Sequence, residues 1–329
     1  MFKKALIGLA AAAMLAGCGG ENKDSAAKTA EAAKDTVTVG LVQLVEHPAL
    51  DAAARGIQDA VKERGLKVTF DLQNGQADQS NLANIAQRFI SEKHALIFAV
   101  ATPAAQSMAN ATTSVPIVAT AVTDYESAKL VRSKDKPGTN VTGTSDLNPV
   151  GAQLDLLMQF VPNAKTIGTI YNSSEINSQF QVELLKKELA RHNLKLLEGT
   201  VSSVNDVQQV ARGLVGKVDA IYVPTDNIIA SAMPVLTKIT DQAKIPVIPA
   251  EEGPLEGGGL ASVGVDYYEL GKITGNMGAD ILEGKAKPAD MPIRFQTEFK
   301  VKVNEESLKT LGLTLPESLK GKAEMVRFH

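Results

Sequence analysis

From Val37 the chain runs through one pattern, short apolar strand then helical stripe, and near Thr166 it starts the same pattern again. In the first half "VTVGLVQL", "LKVTFDLQ", "ALIFAVA" and "PIVATAV" read as strands. Between them Leu50, Ala53, Ala54, Ile57, Ala60 and Val61, then Leu82, Ile85, Ala86, Phe89 and Ile90, recur at helical spacing. Pro48 sits where a first helical turn accepts it, and Thr102 with Pro103 reads as an N-cap and first-turn pair. The second half repeats this with "TIGTIY", "LKLLEGTV", "VDAIYVP" and "IPVIPA". Its helices run through Phe180, Leu184, Leu185 and Leu189, through Val207, Val210, Ala211 and Leu214, and after Asn227. The span from position 37 to 116 nearly equals that from 166 to 246. Strands alternating with helices imply parallel sheets covered on both faces, so the expected fold is α/β with two doubly wound parallel-sheet lobes joined by a hinge of crossing segments. The join falls near "NVTGTSDLNP" and the return near "GGGLASVGVDYYELG", followed by a helix through Leu270, Ile273, Met277 and Ile281. Lobe 1 is expected over 36–143 plus 266–288, and lobe 2 over 146–262 plus 290–329.

The first residues, "MFKKALIGLAAAAMLAGCGG", carry Lys3 and Lys4 and then an apolar run from Ala5 to Ala16, too short to span a bilayer permanently. This reads as an export signal over 1–17. Leu15, Ala16, Gly17 and Cys18 resemble the bacterial lipoprotein cleavage box, and Cys18 is the only cysteine in the chain, at the position lipidation requires. Residues 18–35 are small and charged, without large apolar side chains, and read as a flexible tether behind the lipidated Cys18. The expected location is extracytoplasmic, lipid-anchored to a bacterial membrane. Cleavage removes Lys3 and Lys4 and no acid, taking the formal charge from −3 to about −5, a mildly acidic balance that argues against nucleic-acid binding.

In open α/β sheets ligands bind beyond the carboxyl ends of the strands, where helix N-termini offer free N–H groups. The loops there, with the segments near the crossings, hold Glu46, Asp124, Glu126, Asp146, Glu175, Asp226, Glu251, Glu252, Asp266 and Glu269 together with His47, and no lysine or arginine. A multiply anionic ligand fits such a set poorly. A zwitterion fits it, since carboxylates accept from an ammonium while hydroxyls and helix-start N–H groups hold a carboxylate. Tyr125, Tyr171, Tyr267 and Tyr268 fall in or beside these loops, with Tyr222 just inside a strand, and either suit a flat aromatic ligand or simply edge the sheets.

"EHPALDAA", "ATPAAQSMA", "AVTD", "NVTGTSD", "YNSSEINS", "YVPTDN" and "LG..TGNMGADIL" together resemble the tryptophan/tyrosine ABC transporter substrate-binding lipoproteins, within the type I periplasmic-binding-protein fold. The similarity runs from about Val37 nearly to the C-terminus. It implies a clamp that closes on tryptophan, tyrosine or phenylalanine and hands it to an ABC permease and its ATPase; a monomer is expected, with no cofactor and no metal. Carried over, it puts Glu46, His47, Thr102, Thr123 and Asp124 on the first-lobe wall and Asn172, Ser173, Glu175, Ser178, Asp226 and Asn227 on the second. Glu251 and Glu252 come from position alone. Asp226, at the end of "YVP", is the candidate acceptor for the ligand ammonium, with a helix cap as the alternative.

"EHP" reads as a cleft loop, against a capped helix start, an acid-base pair or a metal site, the last without supporting His, Cys or HExxH spacing. GxGxxG and GxSxG are absent, so neither a nucleotide loop nor a nucleophile elbow is visible and no enzyme is expected. A clamp for a sugar, purine or branched-chain amino acid, or a receptor for a membrane sensor, would share the architecture.

Overall fold

Strand β1 (Val37–Gln43) lies between β2 (Val68–Asn74) and β3 (Ile97–Val100) in a six-stranded sheet. The sheet continues through β4 (Ile117–Val122) and β5 (Val141–Ser145) to a two-residue edge strand, β11 (Arg294–Phe295). Every pairing in it is parallel. Strands β3 and β4 are buried at every position, as expected of central parallel strands covered on both faces. This computed structural model describes residues 36–328; Cys18 and the signal and tether segments lie outside the described residues.

Helices α1 (Pro48–Glu63), α2 (Gln79–Ser91) and α3 (Thr102–Ala111) connect the strands, and α9 (Tyr267–Leu282) returns from the far end of the chain to pack along α1. Small residues set that approach. A Cβ on Gly271 would lie 2.1 Å from the Ala53 carbonyl oxygen, and one on Gly56 would lie 2.2 Å from that of Tyr268.

The second lobe has a four-stranded parallel sheet in the order β7 (Lys195–Val201), β6 (Thr166–Asn172), β8 (Ala220–Val223), β9 (Val247–Pro249). Its helices are α4 (Val150–Phe160), α5 (Ile176–Arg191), α6 (Val207–Leu214), α7 (Asn227–Ser231) and α8 (Met233–Gln242). Beside it β10 (Ala261–Gly264) pairs antiparallel with β12 (Lys300–Asn304), which pairs parallel with β13 (Glu324–Val326). The short helix α10 (Glu305–Leu311) lies between those last two strands in sequence. The second lobe is therefore not wholly parallel, because a chain returning from the other lobe after β11 enters β12 in the opposite direction to β10.

Three segments cross between the lobes, at 146–149, 265–266 and 296–299, and side chains tie them together. Asn148 Oδ1 accepts from the Val265 N–H at 2.9 Å. Gln296 Oε1 accepts from the Asp266 N–H at 2.9 Å, and its Nε2 donates to the Asp266 carbonyl at 2.7 Å. The last crossing falls later than the boundary expected before residue 290. Met291 and Ile293 are buried in the first core, and Arg294–Phe295 pairs with β5. Two exposed residues carry no periodicity, so this strand is invisible in sequence. No helix among the described residues is long and apolar enough to cross a membrane.

Candidate ligand-binding site

The carboxyl ends of the two parallel sheets face each other, and the lobes touch there. His47, just before α1, places Nε2 3.3 Å from Oδ1 of Asn227 on the second lobe. Ile176 packs against the first-lobe core, and a Cβ on Gly253 would lie 2.9 Å from the Ala49 nitrogen.

On the second lobe one hydrogen-bonded network brings Asn172, Glu175, Ser178, Asp226 and Asn227 together. Asp226 Oδ2 accepts from the Asn172 N–H and the Ser178 hydroxyl, each at 2.6 Å, while Oδ1 accepts from the Ile229 N–H at 2.9 Å as the N-cap of α7. Three protein donors thus occupy the carboxylate chosen from sequence as the ammonium acceptor, and its observed work is to lock the end of β6, the start of α5 and the start of α7. Glu175 accepts from the side-chain amides of Asn177 and Asn227 and from the Asn227 N–H. Burial raises both carboxyls above their usual range, and the charge of Asp226 adds to the effect on Glu175.

His47 is 4% exposed, and burial pushes its pKa down to about 4 against the opposing pull of the Asn227 bond and of Asp51. The imidazole is therefore neutral at physiological pH. Asn227 gives its amide N–H to Glu175, which orients its carbonyl oxygen toward His47. The His47 Nε2 must then carry the proton, leaving Nδ1 as a buried lone pair with no partner in the protein.

Thr102 does not cap its helix. Ala101 occupies the N-cap at φ +88 without a side-chain cap bond, Thr102 is the first helical residue, and its buried hydroxyl has no partner. Thr123 donates to Asp146 Oδ1 at 3.0 Å, next to a β-bulge between Ala119 and Val122 where Ala121 takes φ +54. Asp124 is not a free acid: Lys134, from the loop that follows, lies 2.7 Å away. Burial alone would raise the Asp124 pKa, but Lys134 and the Ser127 donors outweigh it and hold the carboxyl below its usual range. Glu252 is likewise paired, with Lys302. Glu46 and Ser173 are exposed and stand apart from the buried network.

Two acids outside the residues singled out as first-lobe and second-lobe walls complete the cluster. Asp146, fully buried at the first crossing, accepts from the Tyr267 hydroxyl at 2.7 Å; burial raises its pKa despite that bond and the one from Thr123. Glu251, 2% exposed just beyond β9, has an Oε2 with no partner, and burial with the charges of Asp146, Asp226 and Glu175 pushes its pKa up to about 8. Of the five tyrosines only Tyr267 joins this cluster. Tyr125 bonds Ala119 and Thr144, Tyr171 bonds Glu198, Tyr222 bonds Gln153, and Tyr268 bonds Asp59. Both Asp146 and Glu251 follow strand ends, a signal present in the sequence; only the tertiary contacts separate them from the paired acids Asp124 and Glu252.

Two parallel sheets that oppose their carboxyl ends across three crossing segments make the type I periplasmic-binding architecture, a clamp that holds a solute from both sides. Residues 38–327 match the ABC transporter substrate binding protein family, and the chain belongs to it. A tyrosine-binding protein of Clostridioides difficile (strain R20291) is 41% identical over 315 residues, 94% of this chain and 91% of that protein. A Streptococcus pneumonia structure in complex with L-Trp superposes with a TM-score of 0.85 at 40% identity, covering 88% of this chain and 99% of the other. The ligand-free, open structure of a Clostridium difficile substrate-binding protein with adhesive properties gives 0.68 at 45% identity, covering 89% and 100%.

Proposed function

We propose that this protein captures an aromatic L-amino acid between its lobes, outside the cytoplasm, and delivers it to an ABC permease. The observation that carries this reading is that, among the buried polar atoms without a protein partner, His47 Nδ1 and Thr102 Oγ1 follow first-lobe strands and Glu251 Oε2 follows a second-lobe strand. A buried polar atom without a protein partner needs one from outside the chain, and left unsatisfied it costs about 1–3 kcal/mol, a cost a zwitterionic ligand offsets. Glu251 is an acceptor for an ammonium. Thr102, at the first turn of α3, adds a hydroxyl to the free N–H groups there, a fit for a carboxylate. The tyrosine- and tryptophan-binding relatives supply the aromatic side chain of this reading.

The lobes are read as closed. The chain superposes better on the tryptophan complex than on the open structure although it is less identical to it, so conformation rather than sequence divergence accounts for the difference. The His47–Asn227 bond across the cleft supports the same reading. His47, Thr102, Thr123, Asn172, Glu175, Ser178, Asp226 and Asn227 are proposed as cleft residues with direct or supporting roles, with Asp124 beside them paired to Lys134 and Glu46 and Ser173 at the exposed rim. Function is by binding rather than catalysis. Attachment through a lipidated Cys18 belongs to this proposal; an unmodified thiol there in the membrane fraction would refute it.

A thermal-shift screen against amino acids, sugars and nucleosides tests the cargo. A ligand at 100 times its Kd stabilises by about 2.7 kcal/mol, so tryptophan, tyrosine or phenylalanine should raise Tm. A shift with a sugar or nucleoside and none with these three would reassign the cargo.

A further inference from the structure

The lobe junction buries four carboxyl groups, Asp146, Glu175, Asp226 and Glu251, contributed by the first crossing, the start of α5, the start of α7 and the end of β9. Among the described residues no lysine or arginine pairs with any of them. Lys134 is held by Asp124 and Lys302 by Glu252. His47, the imidazole of this junction, is neutral and donates to Asn227. Three of the four acids have donors: Asp226 and Glu175 from the second-lobe network, Asp146 from Thr123 and Tyr267.

Glu251 differs. Its Oε2 has no donor, and the single hydroxyl proton of Tyr267, which faces it, is given to Asp146. An ionised, buried carboxylate without a donor and beside three other acids is strongly disfavoured. A protonated one is not, because it carries no charge to desolvate and places no fourth negative charge beside Asp146, Glu175 and Asp226.

We propose that Glu251 holds a proton while the closed cleft is without ligand and surrenders it to solvent when the ligand's ammonium takes its place there, so that amino-acid capture is coupled to proton release. This rests on the amino-acid reading above. The ammonium supplies the positive charge and the N–H donors that make the ionised carboxylate favourable, and the proton, no longer needed, leaves. No bond other than Glu251 O–H is broken. Burial and the neighbouring acids, which push the Glu251 pKa up to about 8, agree with a group still protonated at neutral pH. The consequence is directional: with one proton released, affinity rises up to about tenfold per pH unit below that value and levels off above it. The protein would load more completely in neutral than in acidic surroundings.

Two measurements test this. Infrared difference spectra of the unliganded protein at pH 7, wild type minus Glu251→Gln, should show a protonated-carboxyl stretch; its absence means Glu251 is already ionised and overturns the proposal without reference to any ligand. Titration calorimetry with tryptophan or tyrosine in phosphate and in Tris at pH 7 should give enthalpies differing by the release of about one proton, a difference that Glu251→Gln abolishes. Saturable binding with equal enthalpies in both buffers refutes the coupling while leaving the amino-acid reading intact. Failure of every aromatic amino acid to bind, with the carboxyl stretch present, refutes the cargo and with it the coupling to an ammonium.

Discussion

His47 and Asn227 join the two lobes through one hydrogen bond of 3.3 Å, and the second lobe dictates its polarity. Glu175 orients the Asn227 amide, Asn227 orients the His47 proton, and the remaining imidazole nitrogen is left as an acceptor. His47→Ala should therefore weaken ligand binding by removing both a latch and an acceptor, at a cost of about 1–3 kcal/mol, or roughly 5- to 150-fold in Kd. Calorimetric titration measures it, with thermal melting of the unliganded variant controlling for the fold.

Glu251→Gln should lower affinity more than it changes stability. The amide keeps the shape and loses the charge opposite the ligand ammonium, so the expected loss is about 2–5 kcal/mol, 30-fold or more in Kd. A Kd within threefold of wild type would remove Glu251 from the site.

Asp226→Asn is expected to behave in the opposite way. Asn retains one acceptor oxygen, which can still cap Ile229, but its amide group would face the Asn172 N–H and the Ser178 hydroxyl. The Ser178 hydroxyl can rotate to accept, whereas the Asn172 N–H cannot. Unfolding free energy should fall by about 1–3 kcal/mol, detectable in denaturant melts of the unliganded protein.

The unliganded protein should lose stability as pH rises from about 6.5 to 8. Glu251, raised to about 8 in the folded chain, keeps its proton over this range while an unfolded glutamate has already lost it, so the folded state binds more protons. Glu251 alone contributes a slope of roughly −1 kcal/mol per pH unit, and Glu175, also raised to about 8, adds to it in the same direction. His47, lowered to about 4 when folded, contributes in the opposite sense, its stabilising effect being lost as pH falls from about 6.5 toward 4. Above 6.5 the His47 contribution is constant, and any slope from Glu175 is shared by wild type and Glu251→Gln, so the difference between the two isolates Glu251. Melts of wild type and Glu251→Gln across this window should diverge as pH rises, the variant becoming relatively more stable.

Two glycines give a paired test of packing. Gly271→Ala pushes a methyl group into the Ala53 backbone and should force α1 and α9 apart, costing about 1–3 kcal/mol or more. Gly213, inside α6 with nothing near its Cβ position, should accept alanine and gain up to about 1 kcal/mol. Thermal melts of the two variants should move in opposite directions.

The sequence by itself determined the two α/β halves, because strand and helix periodicities report which faces are buried one residue at a time, and it placed the site at the loops after the strands. The family resemblance of its motifs set His47 on one wall of the cleft and Glu175, Ser178, Asp226 and Asn227 on the other, and the structure joins the two groups through the His47–Asn227 bond. Only the tertiary structure decided what each does there. Asp226 and Glu251 look alike as acids after a strand, yet three protein donors surround the first and one oxygen of the second has none. Asp124 looked unpaired until Lys134 reached it, and Thr102 looked like a cap until Ala101 took that position. The edge strand Arg294–Phe295 was equally hidden, since two exposed residues carry no period. Burial pattern is written locally in a chain, whereas a carboxyl group's partners and its proton depend on charges and donors brought from distant positions, here from 146, 175, 226 and 267 onto residue 251.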